Sequence, residues 1–189
     1  MLISLTGPSG IGKDYIKQAL LRHFATLQEV IWLTTRLQRP NEEAGRCNRE
    51  PINDDTFNLL MSEGQIVFHQ ELYGHQYGLR REGAWFSNQG LWITEFHIDN
   101  LAEARKICFG IKTIGLIPHD IKLLESRLER RATESLVERR RRLDEAEDEI
   151  GRILANKEQF DRLLVITPEN EGVIGNIAIG LVSEVLEVR

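Results

Sequence analysis

Apolar residues along this chain fall into short β-prone runs separated by stretches with helical spacing. The runs are Ile3 to Leu5, Val30 to Leu33, Ile66 to Phe68, Leu91 to Ile93, Lys112 to Ile117 and Leu163 to Ile166. After the first run, Ile16, Ala19, Leu20 and Phe24 recur with the period of one helix face. Strands alternating with helices predict an α/β domain, a parallel sheet with helices on both faces. Two segments depart from this alternation. Thr34 to Gly90 is polar and rich in turns, holds Arg-Pro and Glu-Pro steps and carries one short strand signal at Ile66 to Phe68, which predicts an inserted subdomain. Ile121 to Lys157 is strongly helical. It carries Arg127, Arg130, Arg131 and Arg139 to Arg142 ahead of an acidic run from Asp144 to Glu149, and predicts a charged helical hairpin.

The turn after the first strand holds the clearest chemistry: Gly7-Pro8-Ser9-Gly10-Ile11-Gly12-Lys13. Between a strand and a helix, such glycines let the backbone fold tightly with its N–H groups facing inward. The helix N-terminus adds partial positive charge, and the lysine reaches the outer phosphates. The predicted ligand is a nucleoside triphosphate at the carboxyl ends of the strands. Asp14 stands where a Ser or Thr hydroxyl would meet Mg²⁺. Its carboxylate either holds the metal through water or weakens nucleotide binding by repelling the phosphates.

Composition narrows the class. With 189 residues, 41% hydrophobic and 28% charged, the chain suits one globular domain with a sizeable core. A formal net charge of -5 argues against a general nucleic-acid binder. Cys47 and Cys108 are isolated, without metal-ligand spacing or a disulfide framework. No apolar run approaches the roughly twenty residues of a membrane span, and the expected setting is cytoplasmic, as a monomer or homodimer, with no membrane partner.

Beyond the glycine loop come Thr34-Thr35-Arg36 with Arg39 and Gly45, then Gly74-His75-Gln76-Tyr77-Gly78, then Arg127-Leu128, Arg131 with Thr133-Glu134-Ser135, and Arg142-Leu143. In order and spacing these pieces resemble the guanylate kinase family of P-loop nucleoside monophosphate kinases over most of the chain. The resemblance implies a P-loop core (1–33, 91–125 and 155–189), an acceptor-binding subdomain (34–90) and a helical lid (126–154), with ATP and Mg²⁺ as donor and cofactor. It implies that Gly7 to Asp14 bind ATP and that Lys13 grips the donor phosphates. Arg131 and Arg142 would stabilise the transferring phosphoryl, and Arg36, Arg39 and Tyr77 would hold the acceptor's phosphate, since a planar guanidinium pairs bidentately with phosphate oxygens. Taken without the family, the same arginines read as a solvated helix face and loop charges, and Tyr77 as a packed aromatic.

The departures from the family lie at its guanine-reading positions, which hold Trp32, Phe68 and His97 here, while Asn48 lies nearest the place of a phosphate-binding tyrosine. A carboxylate replaced by Phe leaves guanine's N–H donors unpaired, at roughly 1–3 kcal/mol each. On that ground the expected acceptor is a small phosphorylated molecule other than GMP, with ribose 1,5-bisphosphate a candidate, because the kinase of that sugar shares Gly-Lys-Asp at the loop. Ordinary GMP phosphorylation and a non-catalytic binding module are the alternatives. Phe68 and His97 remain candidate acceptor contacts. Glu95, after the strand Leu91 to Ile93, either orders Mg²⁺ through water, orients the acceptor, or is a solvated strand-end carboxylate.

Overall fold

The computed structural model describes residues 1–37, 48–72, 74–83, 85, 90–108, 110–131 and 136–187. The elements are β1 (Leu2–Thr6), α1 (Lys13–His23), β2 (Leu27–Glu29), β3 (Trp32–Thr34), β4 (Arg49–Pro51), α2 (Asp54–Ser62), β5 (Ile66–Leu72), β6 (His75–Arg80), β7 (Leu91–Glu95), α3 (Leu101–Ile107), β8 (Lys112–Pro118), α4 (Lys122–Arg131), α5 (Leu136–Ala155), β9 (Arg162–Ile166) and α6 (Ile174–Glu187). One sheet runs β2-β7-β1-β8-β9 with every pairing parallel. Alternation along β1 divides its side chains between two cores. Ile3 and Leu5 pack with Ile16 and Leu20 of α1 and Val182 of α6. Leu2 joins Leu101 and Ala104 of α3 on the other face. A strand buried on both sides accounts for the continuous apolar runs in the sequence.

A second sheet, β4-β3-β6-β5, is mixed: β3 pairs parallel with β4 and antiparallel with β6. Its small core holds Leu33, Ile66 and the fully buried Phe57 of α2, a helix capped by Asn53, whose side chain accepts from Thr56 N at 2.7 Å. The sequence pattern missed most of this sheet. The apolar run predicts Val30 to Leu33 as one strand, yet the chain changes sheets there. Val30 N still donates to Ile93 O of the first sheet, whereas Trp32 N already donates to Asn48 O beside the second. The signal at Ile66 to Phe68 also extends to Leu72, because Gln70 occupies a buried position that an apolar residue was expected to mark.

The sheets meet at three aromatic rings packed edge to face. Trp32 of β3 lies 5.8 Å from Phe68 of β5 and 5.5 Å from Phe96, and the two phenyl rings are 4.9 Å apart, between ring centroids. Trp32 Nε1 donates to Thr94 Oγ1 of β7 at 2.9 Å, so the indole satisfies its one donor across the seam. Among the described residues no helix is long and apolar enough to cross a membrane.

Candidate functional site

The loop between β1 and α1 turns on glycine. Gly12, the residue before α1, sits at φ 102°, in the left-handed region that a side chain disfavours. At Gly7 an added Cβ would run into the carbonyl oxygen of Leu116 in β8, so the loop lies directly against the central strands. No side chain caps α1, which leaves the N–H groups of its first turn facing the loop. Lys13 Nζ curls over the loop and donates to the carbonyls of Gly7 at 2.5 Å and Pro8 at 3.1 Å. From the other side, Arg142 of α5 donates through Nη1 to Ser9 Oγ at 3.3 Å, while its Nε reaches Glu138 at 3.3 Å.

A cavity of about 780 Å³ opens above this loop and continues to the second sheet. Loop residues Gly7 to Asp14 form one end, apart from Pro8 and Ile11. Trp32, Arg36, Tyr77, Glu95 and His97 line the remainder with Asn48, Gln70 and Glu149. The structure therefore brings most of the sequence-derived candidates into one space. Phe68 is the exception: it lies behind Trp32 and Phe96 in the aromatic seam and does not line the cavity. Arg39, Gly45 and Thr133 to Ser135 lie outside the described residues, as does the side chain of Arg131, which ends α4.

Beneath the loop is a buried charge cluster that the sequence pattern did not reveal. Lys17, 2% exposed and one turn beyond Lys13, contacts Glu29 at 2.6 Å, Glu95 at 2.7 Å and Asp14 at 3.4 Å. Burial alone would lower its pKa, but the three carboxylates outweigh it and raise the ammonium above its ordinary value. Glu95 is pulled the other way. Burial opposes its charge, yet Lys17, Lys13 and Arg49 hold the carboxyl down to about 2. Burial prevails at Glu29 and pushes it above the usual carboxylate range despite Lys17. Glu95 is thus a paired anion on the cavity wall and not a solvated strand end.

Asp14 and Glu95 offer hard carboxylate oxygens on the cavity wall, the donor type that Mg²⁺ prefers. Among the described residues no group of three His, Cys, Asp or Glu side chains is arranged to hold a metal ion by itself. The donor set fits an ion held by one or two carboxylates together with substrate phosphates, and does not fit an all-protein cage.

Two further features go beyond the sequence reading, which named Arg127 only as part of the lid. Arg127 of α4 donates to the carbonyls of Gly10 and Ile11 and to Glu171 Oε1. A second cavity, about 560 Å³, lies at the carboxyl ends of β8 and β9, among His119, Ser126, Ile166, Thr167 and Pro168. Only the Arg127-Leu128 pair within the arginine-rich segment pointed toward the first.

No family model matches the chain. Among curated proteins, a guanylate kinase of Synechococcus sp. is 32% identical over 166 residues, covering 87% of this chain and 88% of its own. The guanylate kinase of Trichormus variabilis is 30% identical over 183 residues, covering 95% and 88%. The solved structure of guanylate kinase from Anaplasma phagocytophilum shares the fold, with TM-score 0.69 at 20% identity over all of this chain and 87% of that one.

Proposed function

The chain belongs to the guanylate kinase family of P-loop phosphotransferases, and on that premise we propose that it transfers the γ-phosphoryl group of ATP to the phosphate of GMP. The expectation of an acceptor other than GMP, with ribose 1,5-bisphosphate as candidate, is corrected: relatives about 30% identical over most of the chain are guanylate kinases, and nothing supports the sugar bisphosphate. The replaced base-reading positions are only part of the polar lining of the cavity, which also includes Asn48, Gln70 and Glu149. A purely binding role is set aside with it, since family membership identifies a phosphotransferase.

The observation that carries the proposal is the single cavity running from the glycine loop to the second sheet, with cationic side chains at both ends. Donor and acceptor phosphates bound at its two ends would face one another, which is the main requirement of phosphoryl transfer. The backbone of Gly7 to Gly12 cradles the donor phosphates, and Lys13 exchanges its carbonyl contacts for phosphate oxygens. Asp14 and Glu95 would hold Mg²⁺, which when bound would neutralise charge on the phosphates. Arg36 and Tyr77 bind the acceptor phosphate from the second-sheet end of the cavity, and Arg39 is assigned to the same phosphate by its family position. Arg142 and Arg131 neutralise charge on the moving group from α5 and α4. The smaller cavity beside Thr167 accommodates the adenine ring. The 34–90 segment acts as acceptor subdomain, and 126–154 as lid.

ADP production with ATP, Mg²⁺ and GMP, dGMP or the other nucleoside monophosphates in parallel tests this. Turnover with the guanine nucleotides is expected; its absence with them, alongside turnover of another monophosphate, overturns the acceptor assignment.

A further inference from the structure

The cavity poses a specific problem for a GMP site. On its Watson–Crick edge guanine presents one acceptor, O6, beside two donors, the ring N1–H and the exocyclic amine. The family positions that would answer them are filled here by an aromatic seam and a histidine. Two other side chains nevertheless face the same cavity and are themselves almost wholly buried: Glu149 of α5, 3% exposed, and Gln70 of β5, 6% exposed.

Gln70 is oriented by its neighbour. Asn100 Nδ2 donates to Gln70 Oε1 at 3.1 Å, so the amide oxygen is engaged and the –NH₂ group is left as the donor end. Glu149 is an acceptor with little else to do. Among the described residues its ion-pair contact is with His97 alone, Nε2 to Oε2 at 3.6 Å, beyond a good hydrogen bond. His97 is turned by its other nitrogen, which accepts from Asp99 N at 3.4 Å. The oxygens of Glu149 open onto the cavity, where the donors of a bound base can take the place of water.

We propose that Glu149 and Gln70 read the guanine base in this chain, Glu149 accepting from N1–H and the exocyclic amine and Gln70 donating to O6. The assignment rests on GMP being the acceptor. It replaces the function of the positions now held by Phe68 and His97 with residues from α5 and the middle of β5. One carboxylate reads both donors on guanine's Watson–Crick edge, and the same carboxylate repels the N1 acceptor of adenine. Because Glu149 sits on the same helix as Arg142, base recognition and lid position become one event.

Calorimetric titration of the full chain with GMP, IMP and AMP tests it, with ATP titration as the check on folding. Wild type binds GMP more tightly than IMP, which lacks the exocyclic amine, and far more tightly than AMP. Glu149→Gln is expected to weaken GMP at least about tenfold and to shrink the GMP-to-IMP ratio, with ATP binding kept. Gln70→Leu, which leaves the buried carboxylate in place, weakens GMP and IMP alike and serves if the Glu149 variant does not fold. Variants that retain full GMP affinity and the wild-type GMP-to-IMP ratio overturn the assignment while leaving GMP as acceptor. A wild-type protein that does not bind GMP overturns the acceptor reading itself.

Discussion

Arg127 Nη1 donates to the carbonyl oxygen of Ile11 at 2.6 Å, across 116 positions of chain. The same nitrogen reaches Gly10 O at 3.1 Å, and the other side of the guanidinium grips Glu171 Oε1 at 2.9 and 3.2 Å. One side chain thus ties α4 to the backbone of the glycine loop and to the turn that leads into α6. With those carbonyls held, the loop is fixed where Gly7, Ser9, Gly10 and Gly12 line the cavity.

Arg127→Ala should therefore loosen the loop as a phosphate site. Hydrogen bonds to a charged group contribute about 1.5–3 kcal/mol, so ATP affinity is expected to fall roughly tenfold or more. ATP titration beside a thermal melt reads both effects; unchanged ATP affinity would show that the loop keeps its shape unaided.

Lys17→Met leaves Asp14, Glu29 and Glu95 facing one another without their shared cation. Removing one partner of a buried ion pair costs about 3–5 kcal/mol. A urea melt at neutral pH should show that loss as a lower midpoint, and an unaltered midpoint would mean the carboxylates find another counterion.

Arg142 bridges Glu138 and Ser9 at the lip of the glycine loop. If it neutralises the moving phosphoryl, Arg142→Ala lowers kcat on the order of a thousandfold while KM for GMP changes far less. A change confined to KM would assign the residue to substrate binding instead.

Asp161 gives the pH dependence a location away from the site. Burial opposes its charge, but the Thr113 N–H at 2.8 Å and Lys112 at 3.0 Å win and hold its pKa below the ordinary aspartate value. Its stabilisation is complete above about pH 4, the unfolded value, and is lost as pH falls through the lower folded value. Acid melts of the wild type should steepen in that window relative to Asp161→Asn, and parallel curves would exclude the residue.

The strand, glycine loop and first helix were legible because each is local: an apolar run, residues free to turn, then one helical face. The parallel sheet followed from alternation. The second sheet did not, since three-residue strands such as β3 and β4 carry too few positions for a period to show. Lys17 sits on the buried face of α1, where a lysine reads as a break in the apolar stripe; only the fold shows that Glu29 and Glu95 arrive from two other strands. Gln70 and Glu149 were hidden for the same reason. Their polarity suggested exposure, whereas the cavity places them inside.

The strand order also constrains how the chain comes to be folded. β1 precedes every other described strand, yet both of its neighbours come much later: Leu5 pairs with Glu95 on one side and with Ile114 on the other. Such long closures are slow, because loop entropy is lost before any contact rewards it. A nascent chain that has not yet reached β8 holds Ile3 and Leu5 on a strand with at most one neighbour, an adhesive edge for other chains. During synthesis the glycine loop, lodged against Leu116, has nothing to press on until that strand has emerged.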